Sequence, residues 1–273
     1  CLVGSEMCIR DRLNILSEAF VFVDDNPAER EIVRGQLGGT AVPEIGEVTD
    51  YIRVLDRSGY FETVTLSEDD LKRNDMYRAN AQRAKAQSRF ADYHDYLLSL
   101  EMTAEIGDFS PLYLQRITQL TNKSNQFNLT TKRYTAEQME AVYNSDEYIR
   151  LYGKLYDKFG DNGVVAVTIG KTDSEDNGRL DIELWLMSCR VLKRDMELAM
   201  LDSLVEQAKK RGIREIYGHY YPSAKNKMVA GLYESFGFEK ISQDEEGNTS
   251  WRLLVEGYED KNTVIKVKEE HYA

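Results

Sequence analysis

The second half of the chain contains three consecutive stretches with different hydrophobic periods. RLDIELWLMS alternates apolar residues with other residues, which predicts a strand with one buried face. That face consists of Leu180, Ile182, Leu184 and Leu186. MELAMLDSLVEQAKKRG has the period of an amphipathic helix, closed by basic residues and by Gly212. IREIYGHYY predicts a further strand, so this part of the chain is expected to form an α/β unit.

Composition indicates an ordinary globular protein with room for more than one domain. A chain of 273 residues can hold two modest domains of roughly 100–200 residues each. The contents of 42% hydrophobic and 30% charged residues fit a soluble protein. No apolar run approaches the roughly 20 residues of a membrane helix. The net charge of −12 argues against non-specific nucleic-acid binding, so we expect neither nucleic acid nor membrane as a partner.

The first twelve residues differ from the rest of the chain. Reverse translation of LVGSEMCIRDR resembles a transposase sequencing adapter, and the stretch lacks the regions of a signal peptide. We interpret residues 1–12 as translated adapter, with the natural chain beginning near Leu13. The remaining cysteine is then Cys189, which provides no disulfide framework and predicts a reducing, cytoplasmic location.

The stretch AFVFVDDNPAERE predicts a strand that leads into a capped helix. Residues 19–23 form a short apolar run, Asn26 can cap the helix, and Pro27 suits its first position. Asp24 and Asp25 then stand at the carboxyl end of a strand, where open α/β sheets bind ligands. Two carboxylates suit a hard cation such as Mg²⁺. The alternative, that both aspartates are turn or cap residues, remains open.

A helix is predicted over about residues 68–99, as a connector between two domains. Phe90, Tyr93 and Leu97 share one face of it at helical spacing. Basic residues cover the other faces, which is typical of a solvated surface.

The region after this helix contains a polar run and a turn signal. Asn125, Gln126 and Asn128 follow a helical stretch, where they can hydrogen-bond a hydroxylated acyl group or simply end a helix. Both interpretations stay open. Residues 160–163, GDNG, predict a tight turn between strands.

A specific resemblance emerges from these motifs. The stretch after the last predicted strand is similar to the GNAT acetyltransferase fold, and the matching residues are Asn226, Ala230, Leu232, Tyr233, Gly237 and Phe238. More narrowly, the chain resembles FkbH-like proteins over almost all of residues 13–257. The motifs that carry this resemblance are FVDDNPAERE, QLTNKSNQFNLTTKRYT, KFGDNGVV, WLMSCRVLKRDMELAML and YYPSAKN.

The resemblance implies a two-domain α/β architecture. Residues 13–66 correspond to the end of a haloacid dehalogenase-like, Rossmann-like phosphatase domain. Residues 67–100 form the connecting helix, and residues 101–257 form a GNAT-like α+β domain with a mixed sheet. Residues 258–273 are left as a charged tail.

The resemblance also implies an activity. FkbH-like proteins of polyketide pathways take a glyceryl unit from 1,3-bisphosphoglycerate, remove phosphate and load an acyl carrier protein through its phosphopantetheine arm. In their phosphatase half, Mg²⁺ would be held here by Asp24 and Asp25. The family's Asp-x-Asp nucleophile belongs upstream of Leu13 and is missing, so this chain is not expected to turn over phosphate.

The GNAT half departs from its family at the phosphate loop. Acetyltransferases bind the CoA pyrophosphate on backbone amides of an R/Q-x-x-G-x-G/A loop at a helix start. The register predicted from LKRDMELAML puts Asp195 and Glu197 at the two later glycine positions. Two carboxylates there would repel a pyrophosphate, so acetyl-CoA is not the expected cofactor.

Cys189 is the candidate nucleophile. It ends a predicted strand before a helix and is followed by Arg190, Lys193 and Arg194, which we expect to lower its pKa and to receive an anionic donor. His219 on the next strand is a candidate base. These residues suggest a glyceryl-thioester site. A buried structural cysteine is the alternative.

Further candidates and alternatives concern His219, Tyr233 and Asn226. His219 can simply fill an aromatic strand. Tyr233 matches a general acid of some acetyltransferases, or it is a core aromatic. Asn226 is a candidate substrate contact. Two other functions also stay open, namely an N- or O-acyltransferase of surface-glycan modification and a non-catalytic module that docks a carrier protein.

Overall fold

The computed structural model describes residues 17–62, 73–173, 176 and 178–269 of the chain. They divide into two compact units, one up to Tyr77 and one from Arg78. The boundary between the two units falls within the helix α3, Arg73–Gln87.

Within residues 17–62, the first unit contains the helices α1 (Pro27–Gln36) and α2 (Tyr51–Arg57), with 3₁₀ turns at Ser17–Ala19 and Val48–Asp50. The predicted start of α1 is confirmed, because the Asn26 side chain accepts a hydrogen bond from the backbone N–H of Ala28 at 3.0 Å and Pro27 occupies the first helical position.

The strand predicted over residues 19–23 is reduced to one parallel bridge between Val21 and Ala41. Ala41 exchanges backbone hydrogen bonds with Phe20 and Phe22, and no longer ladder forms among residues 17–62. Residues 20–23 are half-buried and Ala19 is exposed, so no residue of this apolar run is buried. Pairing this short is marginal on its own, so the local propensity for a strand is not realised.

Within the described part of the second unit, the α-helices that follow α3 are α4 (Tyr93–Ser99), α5 (Pro111–Lys123), α6 (Ala136–Tyr143), α7 (Met196–Lys210) and α8 (Leu232–Ser235). Its strands are β1 (Thr103–Gly107), β2 (Tyr148–Asp157), β3 (Gly160–Thr172), β4 (Arg179–Met187), β5 (Glu215–Tyr220), β6 (Glu239–Gln243), β7 (Thr249–Leu254) and β8 (Lys266–Glu269).

The strands form one mixed sheet in the order β6-β7-β5-β4-β3-β2-β1-β8. β4 pairs in parallel with β5, and β1 pairs in parallel with β8, whereas the other neighbours are antiparallel. The α/β class with a mixed sheet, expected from the sequence, is therefore confirmed. The residues assigned to a tail supply an edge strand, β8.

The alternation in β4 is interrupted by a shift of register. Ile182 pairs with Gly170 of β3, and Leu184 pairs with the neighbouring residue of β3, Ile169. Glu183 is therefore an extra residue in β4, as in a β-bulge. Leu180 and Ile182 consequently join the core cluster on the α7 face, and Leu184 and Leu186 join the cluster on the α5 and α6 face. The prediction that all four share one face is wrong, because one extra residue reverses the side chains beyond it.

The predicted connecting helix is divided. α3 ends at Gln87 and α4 begins at Tyr93, because Asp92 adopts an extended backbone and its side chain accepts from the N–H of Asp95 at 3.0 Å. Phe90 therefore lies between the helices. Across the described ranges, no helix combines the length and the apolar character required to cross a bilayer.

The hairpin between β2 and β3 turns three residues earlier than predicted. Lys158 and Phe159 form the turn, with Asp157 paired to Gly160. Gly160 and Gly163 lie within β3 with φ of 135° and 70°, values that favour glycine.

Candidate functional site

Cys189 is exposed and lies just beyond the carboxyl end of β4, at the start of a 3₁₀ turn, Cys189–Val191. α7 begins only at Met196, so the thiol does not sit at an α-helix N-terminus. Atoms around the sulfur desolvate it and raise the pKa of Cys189, and the charge of Arg190 opposes this only in part. The expectation of a lowered pKa is therefore wrong, and the thiol is largely protonated at neutral pH.

Arg190 is held beside this thiol by Ser188. The Ser188 hydroxyl accepts from the backbone N–H of Arg190 at 3.4 Å and from its Nε at 3.2 Å. Lys193 is exposed, and its backbone carbonyl accepts from the hydroxyl of Tyr93 at 2.6 Å. The surface at Cys189 thus carries a fixed guanidinium.

Arg194, the third predicted cation, is turned into a buried network instead. Its guanidinium donates to Asp157 at 3.1 Å, to the side chain of Asn162 at 3.3 Å and to the carbonyl of Arg190 at 2.9 Å. Desolvation, reinforced by the charge of Arg83, lowers its pKa to about 10. Because Arg194 is buried and saturated with partners, it is not placed to receive a donor.

The loop before α7 contains two left-handed residues. Lys193 and Asp195 have φ of 63° and 59°, a conformation that favours glycine. In an R/Q-x-x-G-x-G/A pattern that begins at Arg190, these are the glycine positions. The structure therefore favours a register two residues earlier than the one predicted, with Asp195 common to both.

The start of α7 is acidic. Asp195 is the N-cap residue, and its side chain makes no cap hydrogen bond. One carboxylate oxygen of Glu197 is buried without a hydrogen-bond partner, and burial raises the pKa of Glu197 to about 7, with a smaller contribution from Asp195. Carboxylates in the first turn occupy the place where a helix start would otherwise attract a phosphate.

The parallel strands β4 and β5 diverge after a short contact. They pair only between residues 179–181 and residues 215–217, and beyond this point a fork opens between them. A segment of residues 127–130, the fork segment, fills it. Its bonds to β4 are Leu129 N–H to Trp185 O at 3.1 Å, Met187 N–H to Phe127 O at 3.0 Å, and Thr130 Oγ1 to Glu183 O at 2.8 Å.

Asn226 fastens the fork segment to the end of β5. Its Nδ2 donates to the carbonyls of Asn128 and Tyr221, both at 2.9 Å, and its Oδ1 accepts from the N–H of Ser223 at 2.7 Å. The side chain is fully buried, at 0% exposure. The prediction that Asn226 contacts substrate is therefore not supported, because its amide is committed to the chain itself.

The polar residues of the same region have different environments. Asn128 is 1% exposed, and Asn125 accepts a hydrogen bond from Arg133. Gln126 is half-buried. The structure thus places Asn128 inside the sheet rather than on a surface that an acyl group can reach.

His219 is paired with residues that the sequence did not single out. Its Nε2 lies 3.1 Å from Oδ1 of Asp181 on β4, and its Nδ1 lies 3.2 Å from Oγ of Ser250 on β7. Both ring nitrogens are occupied, so His219 is not oriented as a base toward Cys189. The alternation of the strands could have indicated this grouping, because Asp181, His219 and Ser250 all occupy half-exposed positions of their strands.

Tyr233 belongs to the core. Its side chain is 0% exposed and lies so close to Gly218 that a Cβ there would stand 2.3 Å from the ring. Trp185 meets it edge-on at 6.5 Å between ring centroids. The role of Tyr233 as general acid is not supported, because burial raises the pKa of its hydroxyl and separates it from solvent.

Asp24 and Asp25 lie in the first unit, before α1. Oδ1 of Asp24 accepts from the N–H of Asn26 at 2.8 Å, and Arg30 donates to the carbonyl oxygens of both aspartates. Among the described residues, no group of three or more His, Cys, Asp or Glu side chains is arranged to hold a metal. The assignment of Asp24 and Asp25 as Mg²⁺ ligands therefore stays a prediction.

A separate groove of about 590 Å³ lies between the second half of α7 and the region where β1 ends and β2 begins. Its lining includes Arg150, Asp202, Glu206 and Lys210, and it contains none of the predicted site residues.

No protein-family model matches the chain, and no curated protein sequence matches it. Solved structures give partial likenesses. The ribosomal-protein-S18-alanine N-acetyltransferase from Escherichia coli is 14% identical, with 59% of this chain and 99% of that chain covered and a TM-score of 0.43. A GNAT-family acetyltransferase from Streptococcus pneumoniae is 18% identical over 55% and 99%, with a TM-score of 0.43.

A third likeness is to yncA from Salmonella typhimurium, solved with its cofactor acetyl-CoA, at 14% identity over 60% of this chain and 99% of that chain, with a TM-score of 0.43. At such identities and TM-scores, these likenesses establish neither the family nor the activity of this chain.

Proposed function

We propose that residues 78–269 form a GNAT-like acyl-transfer unit of the FkbH-like class. The strand order supports this, since parallel strands β4 and β5 are connected through α7 within an otherwise largely antiparallel sheet. The motifs quoted above that span β4, the Cys189 turn and the end of β5 support the narrower class. The observation that carries the proposed chemistry is an exposed thiol, Cys189, with the guanidinium of Arg190 fixed beside it.

The proposed reaction has two steps. In the first step, the Cys189 sulfur loses its proton to solvent and attacks the acyl carbon of 1,3-bisphosphoglycerate, while Arg190 offsets the charge of the departing phosphate. An S–C bond forms, the C–O bond to phosphate breaks, and a phosphoglyceryl thioester results. In the second step, the phosphopantetheine thiol of an acyl carrier protein loses its proton to solvent and attacks the thioester carbon. The C–S bond to Cys189 breaks, and the Cys189 sulfur takes up a proton. Removal of the remaining phosphate belongs to the phosphatase half of the class.

Acylation of Cys189 is the direct test. In a chain with Cys1 and Cys8 replaced by Ser, incubation with 1,3-bisphosphoglycerate should add one phosphoglyceryl group, which peptide mass mapping assigns to Cys189. Replacing Cys189 with Ala should abolish the adduct, and Arg190→Gln should slow its formation. Because the pKa of Cys189 is raised, the rate should increase as the pH rises from neutral into the alkaline range.

Two results would overturn the thioester step. An adduct that persists in the Cys189→Ala chain would place the acyl group elsewhere. Tight binding of the carrier protein without any acylation of Cys189 would favour the docking module instead.

The alternative of a CoA-dependent N- or O-acyltransferase makes an opposite prediction. Under the proposed function, in contrast to that alternative, isothermal titration of the native chain should show no tight acetyl-CoA binding. The reason is that Asp195 places a carboxylate in the left-handed position of the loop before α7. The Lys193→Gly/Asp195→Gly double variant removes the acidic group and suits the same backbone, so it should bind more tightly than the native chain. Micromolar binding by the native chain, about −8 kcal/mol, would contradict the expectation and favour the CoA-dependent enzyme.

A further inference from the structure

Three neighbouring strands carry a continuous hydrogen-bonded line of Ser250, His219 and Asp181. His219 on β5 is the direct cross-strand partner of Ser250 on β7, and the side chains meet at 3.2 Å between Nδ1 and Oγ. On the other side, Nε2 of His219 lies 3.1 Å from Oδ1 of Asp181 on β4. The sheet register therefore brings a hydroxyl, an imidazole and a carboxylate together in the order that a nucleophilic hydroxyl requires.

The direction of these hydrogen bonds follows from the state of Asp181. Arg179 donates to both of its oxygens, at 2.8 and 2.7 Å. Although burial acts to raise it, the bonds from His219 and Arg179 hold the pKa of Asp181 below its ordinary value. A carboxylate only accepts hydrogen bonds, so the Nε2 that faces Asp181 carries a proton, and in the neutral ring Nδ1 is then the acceptor. The Ser250 hydroxyl then donates to Nδ1.

The imidazole is both restrained and accessible. Its ring stacks on Tyr221, with 6.3 Å between centroids and 23° between planes. Arg179 lies 4.0 Å over the ring of Tyr217, which steadies the guanidinium that holds Asp181. The side chains of His219 and Asp181 are 21% and 26% exposed, so a small substrate can reach the line from solvent.

We propose that Ser250 is the nucleophile of a second acyl-transfer site, which takes its acyl group from an activated carboxylic ester. The Oγ–H proton passes to Nδ1 of His219 as the Oγ–C bond forms, and the C–O bond of the ester breaks as the leaving oxygen takes that proton. Water then attacks the acyl-serine, gives its proton to His219, and releases the acid with Ser250 restored. Asp181 is a positioning residue, because it acts through His219.

The test uses the full chain with all three cysteines replaced by Ser, so its outcome is independent of Cys189. With p-nitrophenyl acetate as the probe, we expect release of p-nitrophenolate and an acetyl group that maps to the peptide containing Ser250. Replacing Ser250 with Ala should lower the hydrolysis rate at least tenfold. Ser242→Ala is the matched control, because Ser242 is the cross-strand partner of Ser250 on β6, and its rate should be unchanged.

Two further variants separate chemistry from structure. His219→Ala should lose the activity and regain part of it on addition of imidazole, whereas a merely structural histidine would show no rescue. Asp181→Asn should lower the maximal rate more than it changes the Michaelis constant. Acetyl groups on other residues only, or an unchanged rate in the Ser250→Ala chain, would overturn the proposal. If that variant fails to fold, the position of the acetyl group on the unsubstituted Ser250 decides the question.

Discussion

Replacing Asp157 with Ala should destabilise the second unit by about 3–5 kcal/mol, because two buried guanidinium groups then lose their shared carboxylate. The Asp157 side chain is 0% exposed. It accepts from Arg83 at 2.8 and 3.0 Å, from Arg194 at 3.1 Å and from the N–H of Phe159 at 2.8 Å. This network joins α3, the β2–β3 hairpin and the loop before α7, so its loss affects all three.

Urea unfolding of the full chain, followed by circular dichroism, measures the effect. A matched exposed ion pair, Glu147 with Lys171 at 3.5 Å, supplies the control, and Glu147→Ala should cost no more than about 1 kcal/mol. Combining Asp157→Ala with Arg83→Met removes one stranded charge, so part of the stability should return. A loss for Asp157→Ala as small as that for Glu147→Ala would show that water or rearrangement satisfies both guanidinium groups.

Replacing Glu197 with Gln should stabilise the protein at alkaline pH. Burial raises the pKa of Glu197 to about 7 in the folded chain, above its ordinary value of 4.5. The folded state therefore binds the proton more tightly than the unfolded state, and the stability from this group is complete below about pH 4.5 and lost as the pH rises through about 7. The gap corresponds to roughly 3 kcal/mol as an upper bound.

We accordingly expect Glu197→Gln to gain about 1–3 kcal/mol at pH 8 and to match the native chain near pH 4. The measurement is urea unfolding at a series of pH values. Glu137, an exposed glutamate in the first turn of α6, is the control. Its change to Gln should lower stability by about 0.3–1 kcal/mol at most, through the lost interaction with the helix dipole. An equal response of the two variants would argue against a desolvated carboxylate with an unsatisfied oxygen at Glu197.

Local sequence patterns predicted those elements whose stability is itself local. The amphipathic period of residues 196–210 predicted α7, and the cap at Asn26 predicted the start of α1. The register shift at Glu183 has no such local signal, since it depends on how β4 meets β3. For this reason the alternation predicted a strand correctly but assigned Leu184 and Leu186 to the wrong face.

The candidate site was likewise predictable from the sequence only in its local features. Sequence indicated Cys189 and His219 as chemically notable, and both lie at the carboxyl ends of adjacent strands. The partners of His219 come from distant parts of the chain, Asp181 and Ser250, and only the sheet register brings them together. The raised pKa of Cys189 could not be predicted from the sequence either. Cations that are near in sequence lower the pKa of a thiol only where they face the sulfur, and Arg194 does not face it.

The fork segment also has a consequence for synthesis of the chain. Residues 127–130 leave the ribosome before β4 and β5, whose edges later receive their hydrogen bonds. During that interval Phe127 and Leu129 belong to an unpaired apolar strand, the kind of segment that recruits other chains. Asn125, Gln126 and Asn128 stand beside and between them, and we expect polar residues so placed to lower the tendency of this segment to associate until its partners arrive.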